Sequence, residues 1–378
     1  MYRKNNSLYL LVILIAVVLF SLLTIYASSS VAETLGVSAR AATLYEPETG
    51  SFLFSKNADE RLPMASTTKI MTAVVALENS ELSEVVEIDE RAVGVEGSSA
   101  YLKAGDSLTM EELLYAVMLS SANDAAAAIA YHISGSIEDF ALLMNEKADA
   151  LGLCDTHFTN PHGLDSEEHY TTARDLAILA GYAIKNETFK TISSTHKKSF
   201  ITEERSRTYV NHNKLLSMYD GSIGMKTGFT KRSGRCLVGA AERDGLTFIT
   251  VTLDAPNDWS DHKNMLDFGY ERLEKITFAD AGDYSYEVKL LDGTLSSVNV
   301  TNTEGCSTIL ERGDYDVKEY VKLSRYTVAP VSKGDILGKV IFTIDGEYSG
   351  EVNLVAADSV DVRQEKGFFR KVYDRIFG

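Results

Sequence analysis

Pro63-Met64-Ala65-Ser66-Thr67-Thr68-Lys69-Ile70-Met71-Thr72-Ala73 is the stretch that decides the fold. Ile70, Val74 and Leu77, with Met71 and Val75 beside them, recur at helical spacing and predict a buried helix starting near the serine. Lys69 follows Ser66 by three residues and falls on the same helical face one turn later, so amine and hydroxyl can touch. Such a pair can act as nucleophile and base only if the lysine is unlike a surface one. Accepting a serine proton near neutrality requires its pKa to fall by roughly 3 units from about 10.4, on the order of 4 kcal/mol. Burial among apolar neighbours and a second nearby cation both push that way, and Lys226 is the candidate cation. Taken alone, Ser66 also reads as a helix cap and Lys69 as a solvated side chain.

Two other segments share the Ser-x-x-Lys spacing. Ser194-Thr195-His196-Lys197 runs into the polar residues 202–207, and Ser260-Asp261-His262-Lys263 is flanked by Asp258 and Asp261, whose charges would keep Lys263 protonated. Lys226-Thr227-Gly228 occurs once. Ser222-Ile223-Gly224-Met225 leads into it with small or polar residues alternating with apolar ones. A turn at 230–234, a strand over 235–241, a hairpin at Glu242-Arg243-Asp244-Gly245 and a strand over 246–253 then make an antiparallel meander. Lys226 therefore falls on an edge strand, where Gly228 allows a ligand close to the backbone. Edge lysines also serve simply to block strand pairing. Ser121-Ala122-Asn123 separates two helical stretches. Thr109 and Glu112 form a capping box before Leu113, Leu114, Val117 and Met118, and an alanine-rich helix starts at Asp124 and ends at Gly135. A break there can project Ser121 and Asn123 into a cleft, although Asn123 fits a helix cap as well. Ser55-Lys56-Asn57 and Ser297-Val298-Asn299 repeat the Ser-x-Asn spacing, so order and local context carry the reading.

In this order the three segments resemble the motif set of the penicillin-recognising serine enzymes. The stretch 63–73, Ser120-Ser121-Ala122-Asn123-Asp124-Ala125-Ala126, Thr156-His157-Phe158-Thr159-Asn160-Pro161-His162-Gly163-Leu164 and Gly224-Met225-Lys226-Thr227-Gly228-Phe229-Thr230 are similar to low-molecular-mass penicillin-binding proteins of the D-alanyl-D-alanine carboxypeptidase type. The similarity spans about 37–273. It implies an α/β (α+β) catalytic domain of the serine β-lactamase/transpeptidase-like type, an antiparallel sheet flanked by helices. It also implies roles. Ser66 would attack the penultimate D-Ala carbonyl, Lys69 would be the base, and Ser121 would relay the proton to the departing D-Ala. Asn123 would bind the substrate amide, Lys226 and Thr227 the terminal carboxylate, with Gly228 beside them. The backbone N–H groups of Ser66 and Phe229 would form the oxyanion hole. The substrate would be a peptidoglycan stem peptide ending in D-Ala-D-Ala, with β-lactams as covalent inhibitors and no cofactor. A serine β-lactamase would share the first steps, but the Glu-x-x-Leu-Asn segment of one such class needs a Leu-Asn dipeptide that this chain lacks. A catalytically silent penicillin-binding or scaffold protein is the alternative of another kind. His132, His157, His162, His169, His196, His212 and His262 show no H-E-x-x-H, no serine sits in G-x-S-x-G, and no metal site is expected. His162 reads as structural.

The bulk of the chain fits an exported protein. Arg3 and Lys4 precede an uncharged apolar run over 8–26, and Ser30-Val31-Ala32 offers a cleavage site, so residues 1–32 read as a signal peptide or a retained membrane segment. The catalytic domain is assigned to 33–275, at the outer face of the bacterial cytoplasmic membrane or in the cell wall. Short strands with turns over 278–362 suggest a small all-β domain: 286–291, 297–300, 317–323 and 340–344. Over 363–378, Phe368, Phe369, Val372, Tyr373, Ile376 and Phe377 fill one side of a helix and Lys366, Arg370, Lys371, Asp374 and Arg375 lie on the other, which reads as a helix on a membrane surface. A net charge of −17 argues against nucleic acid. Cys154, Cys236 and Cys306 are widely spaced and read as small core residues. The sequence alone predicts that benzylpenicillin adds its mass to Ser66 and that Ser66→Ala abolishes the adduct; intact-mass spectrometry showing no adduct on the wild type contradicts every acyl-enzyme reading.

Overall fold

The structure, a computed structural model, describes residues 35–201 and 205–363. The expected signal or membrane segment at 1–32 and nearly all of the expected amphipathic helix at 363–378 lie outside the described residues. Two compact units divide between Glu271 and Arg272.

The first unit begins with β1 (Ala41–Glu46) and β2 (Ser51–Lys56), then a 3-10 turn (Ala65–Thr68) that continues into α1 (Lys69–Asn79). There follow β3 (Val85–Glu87), β4 (Ser107–Thr109), α2 (Met110–Leu119), α3 (Asn123–Ser134), α4 (Ile137–Ala150), α5 (Ala173–Ala183) and α6 (Glu187–Ser194). The hairpin β5 (Lys197–Ile201) and β6 (Ser206–Val210), α7 (Leu215–Met218), β7 (Ser222–Thr230), β8 (Gly234–Arg243), β9 (Leu246–Leu253) and α8 (Asp258–Arg272) complete it. The strands β2-β1-β9-β8-β7 form one antiparallel sheet with β7 on the outside.

Period-two alternation in β9 explains the layering. Ile249, Val251 and Leu253 point into the main core, which α1 and the alanines of α3 share. Phe248, Thr250 and Thr252 face α8: Gly269 comes so close to Phe248 that an added Cβ would lie 2.9 Å from its ring. His262 of α8 is fully buried, with Nδ1 2.7 Å from the Thr250 hydroxyl and Nε2 3.0 Å from the Thr252 hydroxyl. Helix α1 is buried on nearly every side over Lys69–Ala76, as a helix between a sheet and other helices must be. The antiparallel sheet flanked by helices matches the expected fold class.

Several local expectations change. Ser66 sits in the 3-10 turn that precedes the α-helix, and its hydroxyl caps nothing. Thr109 Oγ1 does accept from the Glu112 N–H, at 3.2 Å, but the Glu112 carboxylate takes a hydrogen bond from Arg205 at 2.9 Å rather than closing a capping box. The alanine-rich helix starts one residue earlier, at Asn123. Asp258 and Asp261 do not serve Lys263: the first pairs with Arg235, and the second accepts from the Ser38 and Ala39 N–H groups and fixes the chain ahead of β1. Cys236 is buried and Cys306 half-buried, but Cys154 is exposed, which departs from the core reading.

The second unit is all-β among its described residues. It contains β10 (Leu273–Ala279), β11 (Ser285–Leu291), β12 (Ser297–Thr301), β13 (Cys306–Glu311), β14 (Val317–Leu323), β15 (Tyr326–Val328), β16 (Ile336–Ile344) and β17 (Glu347–Ala356). One sheet runs β14-β16-β17-β12-β11-β15 and a second pairs β10 with β13, closed over Val288, Val300, Val340, Phe342 and Leu354.

Burial holds His262 neutral, its pKa pushed from 6.5 down to about 3. The unfolded chain therefore takes up a proton that the folded chain refuses as pH falls, and stability is lost between about 6.5 and about 3. Denaturant unfolding of His262→Gln is expected to show lower stability near neutrality but a shallower loss on acidification than the wild type. Parallel pH slopes contradict this account.

Candidate active site

Ser66 Oγ lies 2.9 Å from Lys69 Nζ, inside one turn of chain. The lysine is fully buried, and its amine has two further partners, Asn123 Oδ1 at 2.7 Å and the His162 carbonyl at 2.5 Å. Burial, then the Lys226 charge, hold its pKa well below the ordinary lysine value, against an opposing pull from Asp124. A neutral amine has two N–H donors and one lone pair. In its neutral form, with Asn123 and His162 accepting its two hydrogens, the amine would keep its lone pair for the Ser66 hydroxyl, which also lies 3.5 Å from the His162 carbonyl. This is the geometry a general base requires.

The surrounding chain fixes that arrangement. Ala65 has φ +47°, a strained conformation directly before the serine. Gly163, at φ +87°, packs on the same peptide so tightly that an added Cβ would lie 2.0 Å from the Ala65 carbonyl oxygen. Asn160 Oδ1 accepts from the Gly163 N–H at 2.7 Å, and Thr72 Oγ1 donates to the Pro161 carbonyl at 2.6 Å, so the loop is anchored to α1. Behind it, His169 Nδ1 accepts from the Thr159 N–H at 3.0 Å, which leaves Nε2–H to donate to Thr68 Oγ1 at 2.8 Å. Burial lowers the His169 pKa to about 4, consistent with that neutral tautomer. His162 contributes its carbonyl; its buried ring is held neutral too.

Asn123 opens α3 and is tied on three sides. Its backbone N–H donates to the Ser98 carbonyl at 2.7 Å and Nδ2 to the Glu96 carbonyl at 2.5 Å, while Oδ1 holds Lys69. Asp124 gathers the same loop through the Ser99 hydroxyl at 2.6 Å and the Ala100 and Leu102 N–H groups at 2.9 and 3.1 Å. Ser121 has φ +59°, and among the described residues its hydroxyl has no hydrogen-bond partner. It lines one open cleft of about 420 Å³ with Ser66, Thr227, Gly228 and Phe229.

Lys226 is buried rather than edge-solvated. A register shift between Ser222 and Gly224 and a φ of +91° at Met225 immediately precede it, and bulges of this kind re-aim side chains. Its amine donates to the Thr227 carbonyl at 2.9 Å, and burial pushes its pKa to about 7. Gly228 makes its close approach to the protein itself: a Cβ there would lie 3.0 Å from the Ser66 N. Phe229 is exposed. The structure thus joins Ser66, Lys69 and Asn123 by hydrogen bonds and sets Ser121, Thr227, Gly228 and Phe229 around the same cleft. Other lining residues, Ser98, His212, Lys214, Arg235, Asp258 and Trp259, carry no motif and could not be found from the sequence. The decoy Ser194 donates to the Lys190 carbonyl at the end of α6. No group of three or more His, Cys, Asp or Glu residues fit to hold a metal occurs among the described residues.

A helix-flanked antiparallel sheet with a serine and a desolvated lysine in one cleft defines a serine-type hydrolase. The D-alanyl-D-alanine carboxypeptidase family model, peptidase S11, matches residues 28–257, and this chain belongs to that family. The model of the penicillin-binding protein 5 C-terminal domain matches 273–362. The chain is 34% identical to D-alanyl-D-alanine carboxypeptidase DacF of Bacillus subtilis, over 85% of this chain and 86% of the relative. It is 33% identical to DacC of Escherichia coli, over 93% and 91%. Among solved structures, penicillin-binding protein 5 of Haemophilus influenzae is similar with a TM-score of 0.62 and 29% identity, over 86% of this chain and 98% of the other. Families of this kind act on peptidoglycan peptides and bind β-lactams.

A protonated Lys226 opposes protonation of Lys69, so removing its charge should raise the Lys69 pKa. In Lys226→Gln the acid limb of Ser66 acylation by a β-lactam is expected to move to higher pH; a limb that stays put or moves lower contradicts the coupling. Gly163→Ala, which drives a Cβ into the Ala65 peptide, is expected to slow acylation by at least about 100-fold, the scale set by loss of a positioned catalytic group. Stopped-flow acylation within about threefold of wild type refutes that role for the loop.

Proposed function

We propose that this chain is a serine-type D-Ala-D-Ala carboxypeptidase that removes the terminal D-Ala from peptidoglycan stem pentapeptides through an acyl-enzyme on Ser66. The observation that carries the proposal is the buried Lys69 amine, 2.9 Å from Ser66 Oγ, with Asn123 Oδ1 and the His162 carbonyl as its other partners and a pKa held well below the ordinary lysine value. Lys69 takes the hydroxyl proton as Oγ attacks the carbonyl carbon of the penultimate D-Ala. The N–H groups of Ser66 and Phe229 receive the oxyanion; the close packing of Gly228 on Ser66 N supports their proximity. The unpartnered Ser121 hydroxyl gives its proton to the departing nitrogen and takes back the one Lys69 accepted from Ser66, the C–N bond breaks, and free D-Ala leaves. Water then attacks the Ser66 ester, and the shortened peptide is released.

Lys226 and Thr227 hold the terminal carboxylate. An arriving carboxylate favours the charged form of Lys226, whose pKa near 7 leaves it poised to take up a proton, and that charge in turn keeps Lys69 neutral. Asn123 orients Lys69 and, through the remaining N–H of Nδ2, meets the substrate amide. A β-lactam acylates Ser66 in the same pose.

The apolar run over 8–26 and the basic amphipathic pattern over 363–378 support export and attachment at the outer face of the cytoplasmic membrane. The domain limits proposed with this reading are 33–275 for the catalytic domain and 278–362 for the all-β domain.

Release of D-Ala from a synthetic pentapeptide is expected from the wild type and not from Ser66→Ala. Ser121→Ala should lower kcat by about 10²–10⁴-fold with KM little changed, the range for a general acid–base group. A Ser121→Ala kcat within about threefold of wild type removes Ser121 from the proton path, and no D-Ala release by wild type removes the peptidase reading.

A further inference from the structure

The peptide between Ala65 and Ser66 is gripped from two sides. From the loop 160–165, Gly163 packs so closely that an added Cβ would lie 2.0 Å from the Ala65 carbonyl oxygen and 2.9 Å from Ser66 N. From β7, Gly228 approaches the same atom: a Cβ there would lie 3.0 Å from Ser66 N and 3.1 Å from the Met64 carbonyl oxygen and Thr67 N. Neither position has room for a side chain.

Two residues beyond each glycine, the loop and the strand meet. Residues 228 and 230 share one face of β7 by period-two alternation, and Thr230 Oγ1 donates to Asp165 Oδ1 at 3.0 Å. The turn after β7 prepares Thr230 for that contact. Its N–H donates to Ser233 Oγ at 3.0 Å, and its Oγ1 accepts from the Ser233 N–H at 2.9 Å. Ser233 is buried and donates to the Gly234 carbonyl at 2.9 Å. The Thr230 hydroxyl hydrogen could also reach Ser233 Oγ, at 2.9 Å, but a carboxylate is the stronger acceptor. Asp165 is exposed, and neither it nor Thr230 is among the residues that line the cleft.

The contact bears on the reacting groups through short stretches of chain. Phe229, whose N–H is proposed to receive the oxyanion, lies between Gly228 and Thr230. His162, whose carbonyl holds the Lys69 amine, stands three residues before Asp165. The start of the loop is anchored to α1 by Thr72 and the Pro161 carbonyl, and its end is tied to β7 by Thr230 and Asp165.

We infer that Asp165 is a positioning residue: by accepting from Thr230 it latches the loop onto β7 and so sets the spacing of the Ser66 and Phe229 N–H groups and the His162 carbonyl around the Ser66 hydroxyl. This rests on the proposed function, which supplies the roles of those groups. Oxyanion donors act only at hydrogen-bond distance from the developing charge. Misplacing a reacting group by about 1 Å can cost roughly 100-fold, and losing one exposed hydrogen bond relaxes the spacing by less, so a loss of about tenfold is expected.

The test follows Ser66 acylation by benzylpenicillin in stopped flow, beside D-Ala release, with thermal unfolding to confirm that each variant is folded. Asp165→Ala is expected to lower the limiting acylation rate by about tenfold and to leave the half-saturating concentration within about twofold, the signature of an interaction that acts on the chemical step. Asp165→Asn loses the charge but keeps an acceptor oxygen, and is expected to return to within about threefold of wild type. Thr230→Val should also slow acylation, and adding Asp165→Ala to it should cost nothing more, since one hydrogen bond cannot be lost twice. Losses that multiply in the double variant would show the two residues acting separately. An Asn variant as slow as the Ala variant would put the effect in the charge, and a change confined to half-saturation would put it in ligand binding. Each of these overturns the inference, as does an Asp165→Ala rate within about twofold of wild type. A wild type that is acylated but releases no D-Ala removes the peptidase reading while the acylation rates still decide the latch; a wild type that is not acylated removes both.

Discussion

Everything in the catalytic unit is arranged around one costly group, a lysine amine with no access to water. An ammonium in that position is disfavoured by burial and by the neighbouring Lys226 cation, so the pKa of the amine is held well below the ordinary lysine value. Neutrality then makes the hydrogen-bond count decisive. Two N–H groups need two acceptors, and the fold brings them from distant parts of the chain, the Asn123 side chain from the start of α3 and the His162 carbonyl from a loop almost a hundred residues on. If either acceptor were missing, the amine could turn and its lone pair would no longer be committed to Ser66.

Backbone strain collects at the same place. Ala65, Ser121 and Met225 each adopt a positive φ, and each is in or directly beside one of the three segments that supply the cleft. Such conformations cost on the order of 1–3 kcal/mol apiece and persist only when the surroundings over-determine them. The surroundings here are identifiable: Gly163 against Ala65, the Glu96–Leu102 loop drawn in by Asn123 and Asp124, and the β7 bulge ahead of Lys226. The strain aims Lys226 inward and sets Ser66 at the mouth of a helix buried on nearly all sides.

What could be read from the sequence was what is local. Ser66 and Lys69 are three residues apart, so helical geometry alone brought them together, and apolar runs separated by turn residues made the β7–β9 meander visible. The distant acceptors of Lys69 have no local signature: Asn123 looked like a cap or a substrate ligand, and a backbone carbonyl such as that of His162 leaves no trace in residue identity. Lys226 does lie on an edge strand, as read, but its burial follows a bulge that cannot be seen in composition. In the all-β unit, β10, β13, β15 and β17 went unread; in β17 the alternation of Val352, Leu354 and Ala356 is clear only after Ser349 and Gly350 interrupt it. Glu112 fitted a capping box by spacing, but a cationic partner 93 residues away claimed its carboxylate.

The cleft also reconciles two charge scales. The chain as a whole repels anions, while the groups at its centre attract them over a few ångströms, where screening by salt is weak. The most direct test of the whole account is the protonation state of Lys69 itself, followed by NMR titration of side-chain-labelled lysine, with Lys69→Arg to assign the signal. The account predicts a Lys69 that titrates well below the ordinary value of 10.5. A Lys69 that stays protonated up to that value would contradict it.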